Sequence, residues 1–114
     1  MFPAMIDLAR IDLKQFEARA GQAAALLKAL SNERRLMILC QLAGRELQVG
    51  ALLPLVGLSQ SALSQHLALL RDEGLVAARR DGHAVFYRIT DPAVVRLIAA
   101  LAEIFCPPSS EPSA

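Results

Sequence analysis

Tryptophan is absent from these 114 residues, and aromatic side chains make up only 4% of them. The apolar fraction is nevertheless 54%, above the value of about 45–50% usual for globular domains. Aliphatic residues therefore carry the hydrophobicity. A chain of this length builds one core, and aliphatic surplus beyond that core belongs on a partner surface, so an obligate oligomer with an apolar interface is expected. Long uncharged runs are also missing. Arg96 and Glu103 interrupt the apolar stretch near the C-terminus, which excludes a membrane-spanning helix. Asp7 and Asp12 break up the N-terminal stretch, so no signal peptide is expected. These absences predict a cytoplasmic chain, in which the only two cysteines, Cys40 and Cys106, are reduced by default. No Cys-x-x-Cys occurs and no βαβ pattern surrounds either cysteine, which excludes a thiol-disulfide enzyme of the usual kind. No catalytic role is expected.

Net charge is scarce too, at +1, and by itself this speaks against a nucleic-acid ligand. The average hides its distribution. Leu58 to Arg71 contains no acidic residue, and Arg79, Arg80, His83 and Arg88 follow closely. Residues 1–106 read as a single domain, and the Pro/Ser-rich stretch 107–114 reads as a flexible tail.

Apolar spacing from Leu8 to Leu30 predicts helix over residues 5–30, which Gly21 can divide. Ser31 is the expected N-cap of a second helix from Asn32 to about Leu42, which Gly44 ends. The apolar face of that helix is read as Leu36, Ile38 or Leu39, and Cys40. A short helix, Val49 to Val56, leads into Gly57-Leu58-Ser59, where Gly57 permits a tight turn and Ser59 caps a further helix from Gln60 to about Glu73. Leu63, Leu67 and Leu70 form one apolar stripe on it. Away from that stripe lie Gln60, Ser61, Ser64, Gln65 and His66, polar and without a carboxylate. Two β-compatible runs, Val76–Arg80 and His83–Ile89, flank Asp81-Gly82, a strong hairpin signal with both turn residues at positive φ. Asp91 or Thr90 caps a last helix with Pro92 in its first turn, running to about Phe105. That helix is apolar nearly all round and is expected to be buried against a second subunit.

A mainly α domain with a small β-hairpin wing, that is, a winged helix-turn-helix, follows from this order. The second helix of such a unit enters the major groove, where Gln pairs with adenine and Ser adapts. The basic hairpin tip lies along the backbone or in a minor groove. Double-stranded DNA is therefore the expected partner, although the same shape also serves interaction modules that bind no DNA. His66 has two readings: contact with DNA, or packing against the preceding helix.

The residues that carry this reading also resemble a family. Leu30-Ser31-Asn32-Glu33-Arg34-Arg35-Leu36-Met37-Ile38-Leu39, the run Leu58 to Arg71, Gly74-Leu75-Val76, Arg80-Asp81-Gly82 and Tyr87-Arg88-Ile89 look like the ArsR/SmtB repressors, over roughly residues 25–105. The resemblance implies a homodimer on an inverted-repeat operator, joined by its first and last helices. It also implies DNA contacts at Gln60, Ser61, Ser64, Gln65, His66, Arg80 and His83. Many relatives sense metals, but the position of the family's thiolate site is occupied here by Gln48 and Gly50. Its site on the last helix would need a His that this chain lacks, with only Asp91 present. Soft metals require thiolate or imidazole ligands, so no metal and no cofactor are expected. Cys40 and Cys106, with their flanking residues, resemble the BigR/SqrR/HlyU-like branch. That likeness implies a redox-sensing pair: the reduced protein binds its operator, and a disulfide or a bridge formed by a reactive sulfur species releases it. The alternatives are two inert buried thiols and an ArsR-type metal or arsenite sensor built on the same cysteines. Arg34, Arg35 and local dipoles are the candidates for lowering a thiol pKa.

Overall fold

The computed structural model describes residues 10–106; the expected tail and the first part of the predicted first helix lie outside them. Five helices and three strands follow in the order α1 (Leu13–Leu30), α2 (Glu33–Leu42), β1 (Leu47–Gln48), α3 (Val49–Val56), α4 (Gln60–Asp72), β2 (Val76–Asp81), β3 (Ala84–Ile89) and α5 (Pro92–Phe105). The winged helix-turn-helix is present. Among the described residues no helix is long and apolar enough to cross a membrane.

The core sits where α2, α3, α4 and α5 meet the sheet. Ile38, Leu39 and Leu42 of α2, Leu52 and Val56 of α3, and Val94 and Ile98 of α5 are buried around the Leu63, Leu67 and Leu70 stripe of α4. Truncating any one of these leucines to Ala would cost about 2–5 kcal/mol. At the turn between α3 and α4, Gly57 has φ +64°, a conformation that a Cβ disfavours.

Several local expectations are corrected. Ser31 does not cap α2. Its hydroxyl donates to the Lys28 carbonyl at 2.8 Å, closing α1, and Asn32, in extended conformation, accepts from the Arg35 N–H at 3.0 Å. Gly21 does not divide α1, which runs unbroken from the cap at Asp12. Cys40 is exposed rather than part of the apolar face of α2, which is completed by Leu42. Thr90 donates to the Gly74 carbonyl at 3.1 Å and leaves the α5 cap to Asp91, which accepts from the Ala93 N–H at 2.9 Å.

The hairpin turn is one residue later than Asp81-Gly82. Asp81 pairs with Ala84, so Gly82 and His83 are the central residues, and only Gly82 has positive φ, at +65°. A type II′ turn needs positive φ at its first central position alone, and this register spares Asp81 the left-handed region. The wing is also more than a hairpin. β1 adds to β3, giving an antiparallel sheet in the order β1-β3-β2. Within the chain α5 is covered on one side only: Val94 and Ile98 face the core, while Val95, Ile104 and Phe105 are exposed.

Candidate DNA-reading surface and thiol pair

Burial of the Leu63, Leu67 and Leu70 stripe decides which side of α4 meets solvent. Gln60, Ser61, Ser64 and Gln65 are exposed, Ser61 and Gln65 opposite the stripe and Gln60 and Ser64 on its flank toward the wing. Ser59 Oγ accepts from the Ala62 N–H at 3.2 Å, fixing the first turn of the helix that carries them. The polar face and the wing meet in a cleft of about 290 Å³ lined by Gln48, Gly50, Gln60, Ser64, His83 and Val85. The structure thus brings His83 beside Gln60 and Ser64. Arg80 is exposed and engages no other described side chain.

His66 is placed differently. It is half-buried, and burial, followed by the positive charge of Arg35, lowers its pKa from the usual histidine value. Arg35 in turn donates to the Ala29 carbonyl at 2.7 Å. His66 is thus partly withdrawn from solvent and lies within reach of the charge of Arg35 on α2, unlike the four exposed polar residues of the same helix.

Strand alternation sorts the remaining wing residues. Val76, Ala78 and Arg80 share the helix-facing side of β2, whereas Arg79 lies on the other side, opposite Phe86. From there its guanidinium crosses the Phe86 ring at 4.6 Å and donates to the Glu46 carboxylate at 2.8, 3.1 and 3.2 Å. Arg88 approaches the same carboxylate at 3.9 Å. The hydrogen bond from Arg79, then the charges of Arg79 and Arg88, hold the Glu46 carboxyl below its ordinary pKa. The sequence reading missed Glu46. It precedes a two-residue strand and meets a partner 33 positions away, for which no local pattern exists.

Cys40, near the end of α2, and Cys106, the C-cap of α5, are both free and exposed. Burial of part of its surface, and then the neighbouring Cys106, push the Cys40 thiol above its ordinary pKa. Neither candidate arginine opposes this. Arg34 donates to the Val56 carbonyl at 3.2 Å and Arg35 to the Ala29 carbonyl; both serve helix ends at the far end of α2. Among the described residues no group of three or more His, Cys, Asp or Glu could hold a metal ion.

Comparison with known proteins agrees with this architecture. Residues 32–78 match the family described as bacterial regulatory protein, arsR family. The chain is 50% identical over 97 residues to the HTH-type transcriptional regulator YgaV of Escherichia coli, an alignment covering 84% of this chain and 98% of that protein. The crystal structure of the transcriptional repressor BigR from Xylella fastidiosa superposes with a TM-score of 0.80 at 42% identity, covering 84% of this chain and 98% of that one. A structure of reduced HlyU from Vibrio cholerae gives 0.76 at 47% identity, over 82% and 98% of the two chains. This chain belongs to the ArsR family of bacterial regulatory proteins, which are regulators of transcription and not enzymes.

Proposed function

We propose that this protein is a homodimeric transcriptional repressor that binds an inverted-repeat operator, and that a bridge between Cys40 and Cys106 releases it. The observation that carries the DNA-binding part is the exposed, carboxylate-free face of Gln60, Ser61, Ser64 and Gln65 alongside the wing with Arg80 and His83. Amide and hydroxyl groups suit base edges, and the wing cation suits phosphate. In a dimer two such helices present about one helical turn apart, roughly 34 Å, so a small change in their spacing undoes binding. BigR is named a transcriptional repressor, which supports repression as the outcome.

The switch is supported by two exposed thiols, on α2 and at the end of α5, near enough for Cys106 to raise the Cys40 pKa. On oxidation the pair gives up two electrons and two protons to the oxidant, or to a reactive sulfur species that leaves sulfur in the bridge. Either product ties the end of α5 to α2. The same helix carries the apolar surface offered to a second subunit, so the bridge acts on the dimer.

The test is a mobility-shift titration using the duplex that the reduced protein selects from a random pool. The reduced wild type should form a complex that weakens steeply with salt, because phosphate contacts release counterions. Polysulfide treatment should abolish that complex. Cys106→Ser should keep the affinity and lose the response. A salt-insensitive or absent complex refutes the DNA-binding part; normal release in Cys106→Ser refutes the switch alone.

A further inference from the structure

We infer that Glu46 is a positioning residue for the wing, one that withholds Arg79 from DNA and leaves Arg80 as the arginine the wing tip offers to phosphate. The inference rests on the DNA-binding reading above. Arg79 and Arg80 are adjacent in sequence and would count as two equal phosphate contacts, but alternation sends them to opposite faces of β2. On its own face Arg79 lies across all three strands: it starts on β2, passes over Phe86 of β3 and ends at Glu46, which leads into β1. Its Nη1 also lies 3.9 Å from Asp81 Oδ2. A bidentate carboxylate partner fixes a guanidinium in direction as well as neutralising it.

Two consequences follow for binding. The strut ties β2 to the start of β1, which contributes just Leu47 and Gln48 and leads directly into α3. Together with the direct packing of β2 on α4 it holds the wing in place beside the cleft that His83, Gln60 and Ser64 line. It also removes one positive charge per wing from the non-specific attraction to phosphate. Glu46 thus favours discrimination over raw affinity.

The experiment compares wild type, Glu46→Gln and the double variant Glu46→Gln/Arg79→Gln, on the selected duplex and on a random duplex of equal length, across a salt series. In Glu46→Gln the freed Arg79 should bind random DNA several-fold more tightly. The log–log salt slope should steepen by about 0.9 for each wing engaged, and preference for the selected duplex should fall. The double variant should return to the wild-type slope yet still show reduced preference, because the strut is lost while the extra charge is gone. The pair is exposed and adds little to stability, so melting temperatures should stay close to wild type. An unchanged slope and preference in Glu46→Gln overturns the inference, as does a double variant that keeps the steeper slope. Failure of the wild type to bind DNA in a salt-sensitive manner would instead remove the underlying reading.

Discussion

Cys40 shows how placement outweighs composition at the scale of one side chain. It sits on a helix whose first turn carries two arginines, yet its pKa moves upward. Burial removes water from the thiolate, and the nearby Cys106 adds like charge when ionised. Both arginines are committed to backbone carbonyls instead. The thiolate fraction of Cys40 at neutral pH is therefore below that of an ordinary cysteine, and its reactivity should climb only as pH rises toward the elevated pKa. Alkylation of Cys40 by iodoacetamide, followed by peptide mass spectrometry from pH 7 upward, should give a rate profile with its midpoint above the usual thiol range. In Cys106→Ser the midpoint should move down, though not fully, because burial is the larger cause and stays in place. A midpoint at or below the usual range, or an upward move in the variant, would contradict this account. A thiol held in its protonated form resists casual oxidants.

At the scale of an element, α4 is specified by two local signals that agree: the Ser59 cap and the leucine stripe. Ser59 satisfies the Ala62 N–H, and replacing such a cap with Ala costs about 1 kcal/mol. For a domain of this size that is a fall in melting temperature of roughly 4–8 °C. Ser59→Ala should show it by calorimetry. Ser59→Asp, an equally good cap, should keep the melting temperature while weakening DNA binding, since its carboxylate would stand at the end of α4 that the proposed reading turns to the groove; equal melting temperatures for Ala and Ser would refute the cap. The same locality explains what could be read from sequence. Helices with caps and an apolar period, and a hairpin marked by Gly82, announce themselves within a few residues. The cap of α2 lies one position beyond the one the sequence points to, because Ser31 and Asn32 are both competent and the Lys28 carbonyl engages Ser31. β1 is two residues long and too short for any period to register. The Glu46–Arg79 strut depends on a register between distant strands, which only the folded sheet supplies.

At the scale of the whole fold, the described residues form a flat, extended body of 51 × 47 × 22 Å, with a radius of gyration of 16.7 Å against about 13 Å for a compact chain of 100 residues. The reason is α1. Of its 18 residues only Ala29 and Leu30 are buried, while Leu13, Phe16 and Leu27 are 64%, 57% and 58% exposed. α5 adds Ile104 and Phe105, and the two helices border a largely apolar hollow of about 480 Å³ that includes Leu26, Leu27 and Leu97. A helix with so little of its surface packed gains little from its own chain, and exposed aliphatic surface on this scale marks an interface. A second copy is the partner that an aliphatic surplus in so small a domain calls for, and it is also what would place two α4 helices on one DNA face. Leu27→Glu puts a charge into that surface without touching the core or α4. In sedimentation the wild type should be a dimer and the variant a monomer that still melts cooperatively. Its affinity for the selected duplex should drop at least tenfold, because one half-site must then be held without the other, whereas its weak binding to random DNA should change far less. A dimeric Leu27→Glu protein, or a monomeric wild type with full operator affinity, would mean that the surface of α1 and α5 serves some other contact and that the thiol bridge cannot act by shifting the two subunits.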